Sequence, residues 1–313
     1  MVDISLLGTA GAVPLPDRAL TACVITVNGR SILFDCGEGT QTAARKADVN
    51  LMRTDVIALT HYHGDHIFGI PGLLQSFDLG ERTAPLYIVG PVRPGLSIEQ
   101  ELGPVLALTG RLGYELRLIA MPEDGLAMHK LSRDWPELAR LDAFRTEHRV
   151  NSLGYAFSLG RAGKFDAKAA AERGVPRILW RVLQNGASVN IDGNEVLPSD
   201  VMGPPRRGIK VVFSGDTTYC DGLTDAARDA DLLVCEATYG ANEQEAIAAD
   251  YGHMTFAQAG ITAARAGAKR LWLTHFSQRI ADPAEFLPNA AAMFPAAECG
   301  FDGKHVTLEF DKR

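Results

Sequence analysis

The sequence predicts an α/β fold, and three observations carry that prediction. Short apolar runs of strand length alternate with helix-period segments along most of the 313 residues. His61, His148, Asp216, Glu236 and His275 each follow such a run at once or nearly so, as residues gathered at one edge of a sheet would. Hydrophobic content of 46% beside charged content of 22% gives enough apolar side chain for a buried core and enough charge for a wet surface. A chain of this length forms one large α/β domain or two smaller ones.

Taken in order, residues 4–7 are an apolar run closed by Gly8, followed by a small, turn-like stretch through Arg18. Residues 22–27 and 31–34 read as strands joined by Asn28-Gly29, a hairpin signal because both residues tolerate positive φ. The second strand runs into Asp35-Cys36-Gly37-Glu38-Gly39-Thr40, a glycine-rich turn that alone is weak evidence for a phosphate site. Residues 41–47 read as a helix leading to the buried strand at 56–59. Beyond it, 69–79 is helical, 86–89 is a strand, and 91–112 holds helical pieces broken by Pro and Gly. Residues 114–120 alternate like a strand, 140–146 lead into Glu147-His148, and 154–159 form another strand. Between 160 and 185, six basic residues (Arg161, Lys164, Lys168, Arg173, Arg177, Arg181) meet only Asp166 and Glu172, a local charge of +4. Residues 188–197 read as a hairpin around Asp192-Gly193. Strands at 210–213, 232–234 and 270–273 then lead to Asp216, Glu236 and His275, with a helix at 256–266 that Thr255 caps and Gly267 stops. Residues 305–310 alternate as a closing strand.

Composition excludes several classes. No apolar run approaches the length of a membrane span, and the first residues lack the basic segment and long apolar core of a signal peptide. Cys23, Cys36, Cys220, Cys235 and Cys299 are odd in number and without Cys-x-x-Cys spacing, which fits small buried thiols in a reducing compartment. The net charge of −7 argues against a polyanionic partner for the molecule at large, an objection the basic stretch can overrule locally.

The densest chemistry lies at Leu59-Thr60-His61-Tyr62-His63-Gly64-Asp65-His66, which holds three of the eight histidines. Residues i and i+2 of an extended segment point the same way, so His61 and His63 can grip one ion. Gly64 then permits a sharp turn that lets Asp65 and His66 face a second. Nitrogen and oxygen donors of this kind suit zinc. The bland alternative is a solvated polar loop.

His61-x-His63-x-Asp65-His66 followed by His148, Asp216 and His275 resembles the ligand order of the metallo-β-lactamase superfamily. Within it the chain resembles the ribonuclease Z family of tRNA 3′-end endonucleases. That likeness rests on Leu7-Gly8-Thr9 with Pro16-Asp17-Arg18, and on Phe34-Asp35-Cys36-Gly37-Glu38-Gly39-Thr40-Gln41. It continues through Gly69-Ile70-Pro71-Gly72-Leu73-Leu74, Ser152-Leu153-Gly154-Tyr155 after His148, and Phe213-Ser214-Gly215-Asp216-Thr217. The resemblance covers essentially the whole length. It implies a four-layer αβ/βα sandwich, a single catalytic domain over 1–313 with an inserted substrate-binding arm at about 160–185. It implies two Zn2+ ions (Mn2+ or Fe2+ being compatible with such donors), with His61, His63 and His148 on one, Asp65, His66 and His275 on the other, and Asp216 bridging. It further implies that Asp65 orients or deprotonates the attacking water and that His253, paired with Glu236, protonates the leaving 3′ oxygen. Precursor tRNA is the implied substrate, and a cytoplasmic homodimer the implied form. Two departures stand out: Cys235 and Met254 occupy positions where the family usually has His and Ser, and Val175-Pro176 is followed by Arg177-Ile178 where its arm has Gly-Pro.

Two other readings of the residues remain open at this level. One is a hydrolase of a small phosphodiester, lactam or ester on the same dinuclear core. The other is a metal-sensing or nucleic-acid-binding protein without turnover, against which the additional Asp65, Glu236 and His253 speak. His129 and His305 follow no pattern and read as incidental.

Overall fold

Two seven-stranded sheets organise the chain in the computed structural model, which describes residues 1–311. The first sheet has the spatial order His305–Leu308, Val2–Gly8, Ala22–Val27, Arg30–Phe34, Thr54–Ala58, Leu86–Gly90, Leu116–Ala120. Its first four strands pair antiparallel and its last four parallel, sharing Arg30–Phe34. The second sheet runs Ala297–Cys299, Leu271–Thr274, Leu232–Glu236, Arg206–Phe213, Leu153–Arg161, Ala139–Arg145, Leu126–Ala127, with its first four strands parallel.

Alternation along the strands builds the layers. Val24, Leu33, Ile57 and Ile88 pack with Ala43, Leu73, Leu74 and Leu102 from the helices Thr40–Lys46, Ile70–Leu79 and Ile98–Leu106. Val212, Leu233, Leu271 and Leu273 pack likewise with Leu223, Ala259 and Ala290 from the helices Asp221–Ala226, Phe256–Ala266 and Leu287–Ala291. Phe34, one residue on from Leu33, turns to the opposite face. There its ring meets Tyr155 at 5.8 Å and Phe213 at 5.5 Å, both from the second sheet. Helices therefore lie outside two facing sheets, the αβ/βα sandwich expected. Being covered on both faces, the central strands read as near-continuous apolar runs.

Local chemistry explains several element ends. Asn28 (φ 52°) and Gly29 (φ 73°) both take the left-handed conformation that a two-residue hairpin requires. Thr255 caps the helix Phe256–Ala266 in a reciprocal box with Gln258, and Gly267 (φ 64°) ends it. Cys23, Cys36, Cys220 and Cys235 are buried thiols and Cys299 is half-buried.

The chain divides into two compact units: Met1–Ser158 with Ile209–Glu309, and Leu159–Gly208 with Phe310 and Asp311. The second unit extends past the basic stretch of the sequence. Val189 and Val196 of the hairpin Val189–Ile191/Asn194–Val196 share a small core with Ala170, Leu183 and Val201, so hairpin and helices fold as one piece. Its helices are Ala167–Glu172, capped by the Asp166 carboxylate, and Arg177–Gln184. Pro176 stands as N-cap of the latter, so the Pro176-Arg177 pair starts a helix here. Trp180 anchors that helix by donating Nε1–H to the Val175 carbonyl at 3.0 Å.

Candidate metal centre

Parallel strands place their carboxyl ends side by side, and there the chain collects its histidines and carboxylates. His61 follows Thr54–Ala58, Asp216 follows Arg206–Phe213, Glu236 ends Leu232–Glu236, and His275 follows Leu271–Thr274. His63 is the N-cap of a one-turn helix, Gly64–Ile67, that carries Asp65 and His66. Gly64 therefore opens a helix and does not serve the sharp turn read from the sequence; a side chain there would meet the Phe68 ring.

Two donor groups result. His61 Nε2 is 2.9 Å from His63 Nδ1, and His148 Nε2 is 3.4 Å from the same atom. In the second group, Asp65 Oδ2 lies 3.6 Å from His66 Nε2 and 3.5 Å from His275 Nε2. Asp216 lies between them, with Oδ2 3.3 Å from His66 Nε2 and 3.8 Å from His61 Nε2, and Oδ1 3.3 Å from His275 Nε2. Donors bonded tetrahedrally at about 2.0–2.2 Å stand roughly 3.3–3.6 Å apart, so most of these spacings are edges of a coordination shell. His66 Nε2 and His275 Nε2 are buried with no hydrogen-bond partner, a cost that a cation between them would remove. The residues fit a metal.

The other ring nitrogens are held from behind. His148 Nδ1–H donates to the Gly252 carbonyl at 2.7 Å. Gly252 is required twice over there, since its φ is 78° and a Cβ would stand 2.6 Å from that nitrogen. His66 Nδ1–H donates to Asp35 Oδ2 at 2.7 Å, and Thr60 Oγ1 bridges Asp35 Oδ2 (2.9 Å) and His61 Nδ1 (3.0 Å). Asp35 thus orients histidines of both groups, one directly and one through a hydroxyl. In the sequence alone it reads as part of a glycine-rich turn. Its signal was its place at the end of the strand beside Thr54–Ala58, the pattern that pointed to the others.

Burial holds the His61, His63 and His148 imidazoles below the usual histidine range. Burial also acts to lower His66, but Asp216 and Asp35 outweigh it and hold that imidazole well above. For Asp216, burial acts upward and is outweighed by His275 and His66, so the carboxylate stays ionised. Asp65 behaves alike, its largest opposing partner being His275, and its Oδ2 accepts Ala12 N–H at 2.7 Å.

His253 Nδ1 is 2.8 Å from Glu236 Oε1. Burial would depress this imidazole, yet Glu236 and then Asp216 raise it to about 9. With Nδ1 engaged, Nε2 is the nitrogen left for a substrate in the cavity of about 640 Å3 that His253 lines with Asp65, His148, Asp216 and His275. Tyr239, Tyr251, Arg149 and Arg279 supply aromatic and cationic wall to the same cavity. All nine residues singled out in the sequence therefore meet in one place. His305 lies apart on the strand His305–Leu308, and His129 sits in the turn Met128–Lys130.

A metallo-β-lactamase superfamily model matches residues 17–189, and a β-lactamase superfamily domain model matches residues 198–276. The chain is 40% identical to the ribonuclease Z of Lachnospira eligens, with 99% of each covered. It is 36% identical to that of Clostridioides difficile, with 100% of each covered. Among solved structures, the short form of human tRNase Z superposes with a TM-score of 0.67 at 27% identity, covering 98% of this chain and 100% of that one. Fold, convergent donors and full-length relatives agree, and the chain belongs to the ribonuclease Z family of the metallo-β-lactamase superfamily.

Proposed function

We propose that this protein is a metal-dependent endoribonuclease that removes the 3′ trailer of precursor tRNA. In this reading His61, His63 and His148 would hold one divalent ion and Asp65, His66 and His275 another, with Asp216 available to both because its oxygens lie near donors of each group. Imidazole and carboxylate donors favour zinc, with manganese or iron as workable substitutes. The observation that carries the reading is the His253–Glu236 pair, set at 2.8 Å beside those donors in a chain of this family. Pure metal storage or sensing has no use for a proton donor.

Bound divalent cations supply positive charge against the phosphodiester and lower the pKa of the attacking water. Asp65, pinned by Ala12 N–H, orients that water and accepts its proton. His253 gives its Nε2 proton to the departing 3′ oxygen, and Glu236 keeps the imidazolium available by balancing its charge. Tyr239 and Tyr251 offer faces for bases next to the cut, and Arg149 and Arg279 meet phosphates.

The protein acts on this view as one catalytic domain carrying a basic arm. Across residues 159–208, eight basic residues meet five acidic ones, which suits contact with a phosphate backbone. A homodimer in the cytoplasm completes the proposal, the free thiols being in keeping with a reducing compartment.

Incubation with a precursor tRNA bearing a 3′ trailer, with and without chelator, tests it. The expected products are a tRNA ending in a 3′ hydroxyl and a trailer with a 5′ phosphate, both abolished by chelation. An unchanged precursor alongside brisk hydrolysis of a bis-aryl phosphodiester would move the function to a small-molecule hydrolase.

A further inference from the structure

We propose that Thr238 is a positioning residue whose single hydroxyl ties the proton-donating pair to His275 at the metal centre. Thr238 Oγ1 is 2.8 Å from Glu236 Oε2 and 2.9 Å from His275 Nδ1, and the residue is buried. An ionised carboxylate only accepts hydrogen bonds. The Thr238 proton therefore goes to Glu236, and Oγ1 is left to accept Nδ1–H from His275. That fixes the tautomer: His275 carries its proton on Nδ1 and keeps a lone pair on Nε2. Nε2 is the buried, unpartnered atom that lies 3.3 Å from Asp216 Oδ1.

The backbone gives this ring a reason to need holding. His275 has φ 58°, a left-handed conformation outside its strand, so the strand pleat does not aim its side chain. Glu236 in turn is divided between two tasks. Oε1 takes Thr217 N–H at 2.9 Å and His253 Nδ1–H at 2.8 Å, while Oε2 takes the Thr238 hydroxyl at 2.8 Å and two longer backbone bonds, from Thr238 N–H at 3.2 Å and Met254 N–H at 3.3 Å. Without the hydroxyl, Oε2 loses its shortest partner and the carboxylate is freer to rotate away from His253. The other half of the centre repeats the device, with Thr60 bridging Asp35 and His61.

The inference rests on the proposed assignment of His275 as ligand and His253 as donor. Its test is release of zinc from the holoenzyme to a graded chromophoric chelator, alongside steady-state kinetics on precursor tRNA at saturating zinc. Wild type should release two ions in separable steps. Thr238→Val, which keeps shape and removes the hydroxyl, should weaken one step by about 10–100-fold and leave the other in place, because only one ion uses His275. Its kcat should fall by a similar factor with KM unchanged, and Thr238→Ser should recover both values. Thr238→Ala serves the same test should valine prevent folding. Two wild-type release steps in Thr238→Val or Thr238→Ala would overturn the inference alone. So would equal weakening of both steps, which marks general damage. A wild-type protein holding fewer than two ions would overturn it together with the reading beneath it.

Discussion

At the scale of single residues the proposed function assigns metal holding and proton delivery to different side chains, and substitutions should separate the two. Asp216 approaches donors of both groups, so Asp216→Ala should cost the protein both ions or nearly both, as elemental analysis will read. His253→Ala should leave metal content intact while lowering turnover of precursor tRNA by roughly 10²–10⁴-fold. The loss should shrink on an aryl phosphodiester, whose leaving group needs little protonation; equal losses would assign His253 a structural role. Glu236 supplies a pH test. It raises His253, whose donor form is present below its pKa and lost as pH rises through it. Glu236→Gln removes that support, so the alkaline limb of activity should move to lower pH than in wild type. A limb that stays in place would disprove the pairing. Legibility at this scale followed chemistry that a sequence displays. Histidines and carboxylates after apolar runs announced themselves, whereas Asp35, Thr60 and Thr238 act through hydrogen bonds that exist only once two strands lie side by side.

Among elements, the most consequential is the unit of residues 159–208. Its helices expose Lys168 and Arg173, while Arg177 covers the Trp180 ring at 5.6 Å. If the arm grips a phosphate backbone, neutralising Lys164, Lys168 and Arg173 together should raise KM for precursor tRNA. The salt dependence should flatten by about 0.7–0.9 in log–log slope for each phosphate no longer neutralised. Small-substrate turnover should not change. A wild-type KM and salt slope would remove the arm from recognition. The sequence displayed the positive charge of this unit but not its extent. The hairpin belongs to it through Val189 and Val196, whose apolar side chains look in one dimension like those of any short strand. Strand limits were blurred likewise: Arg206–Phe213 begins four residues before the strand 210–213 expected from the sequence, because a polar residue can pair in a ladder as readily as an apolar one.

For the whole molecule, the four layers were visible in sequence only as alternation of strand and helix; the pairing of sheet with sheet appears in ring pairs such as Phe34 with Phe213. Donors from both sheets converge on the centre, so a bound ion belongs to the folded state alone. Ligand at about 100 times its dissociation constant adds about 2.7 kcal/mol, so stripping the metals should lower the thermal midpoint by on the order of 5 °C. Scanning calorimetry with and without chelator will measure it, and an unchanged midpoint would mean the ions are not held by the folded centre. The donors are also strung along the chain from His61 to His275. A ribosome releases His61 long before His275, and no shorter segment contains the full set. A growing polypeptide that has not yet presented residue 275 therefore lacks a member of the donor set, and the complete centre can assemble only after that residue has emerged.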